Sequence, residues 1–195
     1  YFREISRIPR KSFHEKAVVD YIQRFAEERG LTFRRDALHN IILWAPATPG
    51  REGEAPLMLQ AHTDMVCAKE PWSAHDFLKD PIELVEENGW LHANGTTLGA
   101  DDGAGVANIL AILDEPELSP PPLECVFTVQ EEDGMGGAKG LDVSPLKSRR
   151  MIGLDGIQEG TTIYSASAVR GCHFEAAFPQ AKAPAGHGYR LTVTG

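Results

Sequence analysis

Three apolar runs in this chain each stop at a residue that can hold a metal ion or move a proton. Residues 57–61 (LMLQA) stop at His62-Thr63-Asp64, residues 123–130 (LECVFTVQ) at Glu131-Glu132, and residues 151–154 (MIGL) at Asp155. Apolar runs of this length, bounded by turn residues, read as buried strands. At a fourth place, residues 95–105 (GTTLGADDGAG), Asp101 and Asp102 lie in a glycine-rich turn ahead of a helical pattern. Sheets of the α/β type collect ligands outside the carboxyl ends of their strands. What sits at the end of each run is therefore the informative part of the sequence.

The pattern between these runs supports such a sheet. Ser12 and Glu15 have capping-box spacing. Behind them Ala17, Val18, Tyr21, Ile22, Phe25 and Ala26 recur at helical intervals, and Gly30 supplies a stop. Upstream, Tyr1, Phe2, Ile5 and Ile8 read as the tail of an amphipathic helix. Short strands are predicted at 31–34 and 41–44, with a polar loop at 46–55. Asn94-Gly95 reads as a hairpin turn between 90–93 and 96–98. Val106, Ile109, Leu110 and Leu113 form a helix face over 103–115, which Pro116 ends. Strands are expected at 162–168, 172–178 and 189–194, with a connection at 179–188.

The resulting fold class is α/β: a mixed, largely parallel sheet flanked by helices. Residues 1–180 are expected to form the N-terminal part of a metal-binding domain. Residues 181–195 would be a connection and the first strand of a second domain, most of which lies beyond the chain.

Composition narrows the function. Nineteen Lys+Arg against 28 Asp+Glu give a net charge of −9, without a basic cluster, so nucleic acid is not an expected partner. No run of ~18 apolar residues exists to span a membrane, and the first residues lack a signal-peptide core. Three cysteines without CxxC spacing suggest neither a disulfide framework nor a zinc ribbon, which points to a reducing cytoplasm. No P-loop, dinucleotide fingerprint or HExxH helix is present. Cys67 could serve as a thiol nucleophile near His62, but packing is the simpler role.

His together with Asp and Glu suits zinc or another borderline divalent metal. Strand alternation lets His62 and Asp64 share a face, where a carboxylate can orient the imidazole. Adjacent Glu131 and Glu132 point differently in extended backbone, so one can ligate while the other works as a base. Each piece also has an ordinary reading. His62 alone would be a packed histidine, Asp101 or Asp102 a helix cap, Glu131-Glu132-Asp133 a solvated loop and Asp155-Gly156 a turn. It is their joint occurrence at strand ends that favours a metal site.

These residues carry a family resemblance. His62-Thr-Asp64, Gly99-Ala-Asp101-Asp-Gly103, Glu131-Glu132 and Leu154-Asp155 resemble the motifs of the co-catalytic di-zinc exopeptidases of the aminoacylase/carboxypeptidase clan. Within it the chain is similar to the aminoacyl-histidine dipeptidase branch, on residues 60–66 (QAHTDMV), 75–82 (HDFLKDPI), 95–101 (GTTLGAD) and 131–138 (EEDGMGGA). The resemblance implies two Zn²⁺ per site, with Co²⁺ or Mn²⁺ able to substitute. Asp101 would bridge the ions, His62 and Asp155 would bind one, and Glu132 the other. Glu131 would be the general base for a metal-bridging hydroxide, with Asp64 in support. A cis peptide is implied after Asp101.

The implied substrates are dipeptides of the Xaa-His type; a tripeptidase, aminoacylase or deacylase activity is the alternative within the clan. A metal-binding pseudoenzyme would need neither Glu131 nor Asp64. The resemblance further implies a homodimer for the full-length protein, and a last zinc-binding His beyond Gly195, after a lid and dimerisation domain. A chain cut before that domain would be inactive. Residues 166–171 (ASAVRG) depart from the branch pattern, and nothing in the sequence explains Arg170.

Overall fold

The amphipathic pattern near the N-terminus folds as expected, and its ends show why. In the computed structural model, which describes residues 1–156 and 160–164, α1 (Phe2–Ile5) is followed by α2 (Lys16–Glu28). Val18, Val19, Ile22, Phe25 and Ala26 are its buried residues. Gly30 sits at φ 64, a conformation glycine adopts without steric cost. Its N–H donates to Glu27 O at 3.2 Å and that of Leu31 to Ala26 O at 2.9 Å. This pair of bonds is a Schellman cap. The other end departs from expectation. No side chain among the described residues caps α2, because Ser12 and Glu15 are engaged elsewhere.

The chain continues through β1 (Thr32–Arg35), β2 (Ile41–Ala45), β3 (Leu57–His62), β4 (Leu84–Glu87), β5 (Trp90–Ala93), α3 (Ala100–Asp114), β6 (Leu123–Thr128), α4 (Gly136–Gly140) and β7 (Met151–Gly153). Five strands make one sheet in the order β1-β2-β6-β3-β7. β6, β3 and β7 are mutually parallel, while β2 runs antiparallel to both β1 and β6. Four of the five strands thus share a direction, the mixed, largely parallel sheet that the sequence implied. One compact unit comprises Tyr1–Thr161.

Alternation along the strands assigns the faces. Ile41, Leu43, Leu59, Ala61, Cys125 and Phe127 join Val18, Ile22, Val106, Ile109 and Leu110 in one core under the helices. The intervening Met58, Gln60, Val126 and Thr128 line a groove of about 460 Å³ on the opposite face, together with Glu131, Met135 and Asp155. Glu124 is the charged exception within β6. Its carboxylate accepts the N–H groups of Lys147 and Ser148 at 2.8–3.1 Å and the Trp44 indole at 3.3 Å. Burial alone would raise this carboxyl. The bonds outweigh burial and hold it below its ordinary value of 4.5.

Two expectations change. Asn94-Gly95 does not close a hairpin. β4 and β5 pair instead around Asn88-Gly89, whose φ values of 52 and 79 are those of a primed turn matched to strand twist. Thr96 forms only an isolated bridge to Lys69. Residues 162–164, the start of an expected strand, form none. The rest of that strand, those at 172–178 and 189–194, Arg170 and the boundary expected after residue 180 lie outside the described residues.

Glu124→Gln is expected to cost about 1–3 kcal/mol at neutral pH, because buried N–H groups lose a charged acceptor. The depressed carboxyl stabilises the fold fully above its ordinary pKa, and that contribution is lost as pH falls through the folded value. Urea midpoints measured from pH 7 to pH 3 should therefore show a shallower acid decline in the variant.

Candidate metal centre

The topology brings the predicted residues to one edge of the sheet. His62 ends β3, and Glu131 and Glu132 follow β6, the parallel neighbour on one side. Asp155 follows β7, the neighbour on the other. Gln60 is in register with Gly153, and Leu154 N–H donates to Gln60 O at 2.9 Å. Continuing that register by two residues brings Asp155 level with His62. Asp101 arrives from the non-helical first residues of α3, a helix that packs against β3.

The side chains converge. Ligand atoms of His62, Asp101 and Glu132 lie within 4.8 Å of one another, as do those of His62, Glu131 and Asp155. His62 Nε2 is 3.0 Å from Asp101 Oδ1. The grouping differs from the assignment implied by resemblance, since Glu131 shares a cluster with His62 and Asp155. All five residues nevertheless meet around the imidazole. His62 is only 1% exposed, whereas the Asp101 side chain is largely open. A buried nitrogen facing a ring of accessible oxygens is a donor set that fits a divalent metal of the zinc type.

Asp64 lies beneath this ring with no exposure. Its Oδ1 is 3.4 Å from His62 Nδ1, longer than a formed hydrogen bond, and Nδ1 has no bonded partner among the described residues. The same carboxylate accepts Glu131 N–H at 3.0 Å, Glu132 N–H at 3.2 Å and the Ser12 hydroxyl at 2.7 Å. Here the sequence reading is corrected in detail. Glu131 and Glu132 lie in a turn, not in extended backbone. Gln130, at φ 56, starts the turn that aims both N–H groups at Asp64.

The electrostatics follow from crowding. Burial would lower His62, but the Asp64 and Asp101 carboxylates outweigh it and lift the imidazole to about 9. Burial, then surrounding carboxylates, push Glu131, Glu132 and Asp155 upward. Burial also pushes the Cys67 thiol up, which disfavours thiolate chemistry there.

The Asp101–Asp102 peptide is cis, as the resemblance implies. The regular helix starts after it, because neither aspartate has helical backbone angles. Asp102 is the cap of the ordinary reading and more. Its Oδ1 accepts Gly105 N–H at 3.1 Å, and its Oδ2 accepts His62 N–H at 3.1 Å. Burial raises its carboxyl to about 7.

Some supporting residues were missed in the sequence. Asn40 accepts Val129 N–H at 3.1 Å and donates to Gly137 O at 3.0 Å, which fixes the chain on either side of Glu131-Glu132. Glu15 accepts Gln130 N–H at 2.8 Å. Ser12 and Glu15 were visible only as helix-cap residues, and Asn40 carried no signal at all.

Residues 58–185, well over half of the chain, match peptidase family M20/M25/M40. The chain belongs to this family. It is 43% identical over 82% of its length to the cytosol non-specific dipeptidase of Escherichia coli, of which it spans 33%. The aminoacylhistidine dipeptidase structure from Vibrio alginolyticus superposes with a TM-score of 0.79 at 44% identity, covering 82% of this chain and 32% of that one. A dinuclear metal-binding M20 peptidase from Bacillus subtilis shares the fold at 18% identity and a TM-score of 0.51, over 78% of this chain and 40% of its own. The chain thus spans about a third of the first two relatives. His62, Asp101, Glu131, Glu132 and Asp155 all fall inside the matched region.

Asp102→Ala removes both a helix cap and the acceptor of a buried N–H. The expected loss is about 1–3 kcal/mol, seen as a fall in the thermal midpoint of the metal-free protein. Asp102→Asn, which keeps an acceptor oxygen, should recover part of it.

Proposed function

We propose that this chain is the metal-binding part of a di-zinc dipeptidase that cleaves dipeptides, Xaa-His among them. The single observation that carries the reading is the convergence of His62, Asp101, Glu131, Glu132 and Asp155 within two clusters of 4.8 Å at adjacent strand ends. His62, Asp101 and Asp155 would hold one ion, with Asp101 shared and Glu132 on the second. Zn²⁺ suits these donors, and Co²⁺ or Mn²⁺ can replace it. When bound, such ions acidify water and polarise a scissile carbonyl.

Glu131 then has the remaining chemical task. It takes a proton from the attacking water and returns it to the leaving amine. Its raised pKa, set by burial and the nearby carboxylates, favours a base that can also act as an acid. Asp64 orients His62 from below and holds the Glu131 turn through its backbone. The groove of about 460 Å³ that Glu131 and Asp155 help to line is of a size to take a small peptide.

Dipeptide specificity is supported by the names of two relatives at 43–44% identity, one called non-specific and one aminoacylhistidine. A cytosolic location rests on the first of those names; in the structure, no helix among the described residues is long and apolar enough to cross a membrane. Domain organisation is proposed as residues 1–180 and 181–195, with a homodimeric full-length protein and a further ligand His beyond Gly195.

Glu131→Ala in the full-length protein should reduce dipeptide turnover by about 10²–10⁴-fold with metal content near normal; loss of both would make Glu131 a ligand. Asp101→Ala should strip or scramble the metal, read by elemental analysis, and unchanged occupancy would refute bridging. A panel of Xaa-His dipeptides, other dipeptides, tripeptides and N-acyl amino acids separates the dipeptidase reading from the other activities. The 195-residue chain alone should show no turnover.

A further inference from the structure

The segment between α1 and α2 supplies no ligand, yet it touches every loop that carries a ligand except that of Asp155. Arg10 is the centre of it. The residue is 2% exposed, and its guanidinium has no carboxylate in ion-pair contact among the described residues. Instead Nη1 donates to Thr63 O at 3.1 Å and Asp64 O at 2.9 Å, and Nη2 donates to Gly99 O. One rigid fork therefore joins the loop after β3 to the turn before α3. Those two segments present His62 and Asp101, whose side chains meet at 3.0 Å.

The surroundings are shaped for this arginine. A Cβ on Gly99 or Gly103 would run into its guanidinium, which gives both glycines flanking Ala-Asp-Asp a steric reason. Neighbouring residues extend the contact. Lys11 forms a parallel bridge with Met65, and Ser12 donates to Asp64 Oδ2 at 2.7 Å. Glu15 takes Gln130 N–H at 2.8 Å, reaching the Glu131–Glu132 turn.

Stability alone is a poor reason for a buried cation with no carboxylate in ion-pair contact among the described residues, since taking a charge out of water is costly unless it is paired. A planar fork with donors in fixed directions is what locating two separate loops requires. We propose that Arg10 is a positioning residue that sets the spacing of the His62 and Asp101 loops, with Ser12 and Glu15 completing the brace. The proposal rests on the metal-centre reading above.

The test uses full-length protein carrying Arg10→Met, Arg10→Lys or Ser12→Ala. Co²⁺ titration followed by visible absorption reads site geometry, near-UV circular dichroism reads the folded fraction, and kcat and KM are measured at saturating metal. Both Arg10 variants should bind Co²⁺ about 10–100-fold more weakly with an altered absorption band. Their kcat should fall similarly, with KM within about threefold. Lys, which keeps charge without the fork, should not restore the band.

A lowered melting temperature with unchanged Co²⁺ affinity, band and kcat per folded molecule would overturn the proposal. If neither Arg10 variant folds, Ser12→Ala decides: Co²⁺ binding weakened about threefold or more supports the brace, and unchanged binding overturns it. Wild-type protein that binds Co²⁺ but cleaves no peptide refutes the dipeptidase reading alone, and the cobalt readout still judges Arg10. Wild type that binds no Co²⁺ overturns both.

Discussion

Beneath the sheet edge, the fully buried carboxylate of Asp64 receives the N–H groups of Glu131 and Glu132 and the hydroxyl of Ser12, and faces His62 Nδ1 across 3.4 Å. A buried carboxylate is tolerated only when it is bonded on all sides. Here the bonding partners are the residues that must be placed. Burial would raise its pKa, but His62, Ser12 and Glu131 outweigh that and hold it low. The negative charge is thus kept where it can orient an imidazole and anchor a turn. Two remote chain segments, that of Ser12 and that of Glu131-Glu132, are bound to one side chain beside His62, and the candidate centre takes its shape from that.

The ring above Asp64 shows the opposite balance. Burial first, and then like-charged neighbours, push the carboxyls of Glu131, Glu132 and Asp155 up. Like charges gathered this closely are costly without a cation among them. One edge of the sheet therefore holds, among the described residues, a hydrogen-bonded acid below and a crowd of like-charged acids above.

Much of the fold was legible because period and punctuation agree locally. The α2 face, its Gly30 stop and the strands starting at Leu57 and Leu123 follow from spacing alone, although the second strand stops at Thr128, short of the expected residue 130, where the chain enters the turn at Gln130. The hairpin failed for an instructive reason. Both Asn88-Gly89 and Asn94-Gly95 satisfy the local turn rule, and only pairing of 84–87 with 90–93 chooses between them. Ser12 and Glu15 failed similarly. Their spacing fits a helix cap, but Asp64 and the Gln130 N–H compete for the same oxygens, and those partners are distant in sequence.

By itself, the sequence determined which residue types stand where each apolar run stops, and hence the chemistry available: one imidazole and a set of carboxylates. Side-chain alternation makes those endings readable without coordinates. Tertiary structure decided the rest. The order β6-β3-β7 makes neighbours of endings separated by up to 93 positions (155 − 62). The turn at Gln130 gives both glutamate N–H groups to Asp64. Arg10, with no motif of its own, spans two loops. Such roles depend on hydrogen bonds between remote segments, which exist only once the chain has closed on itself.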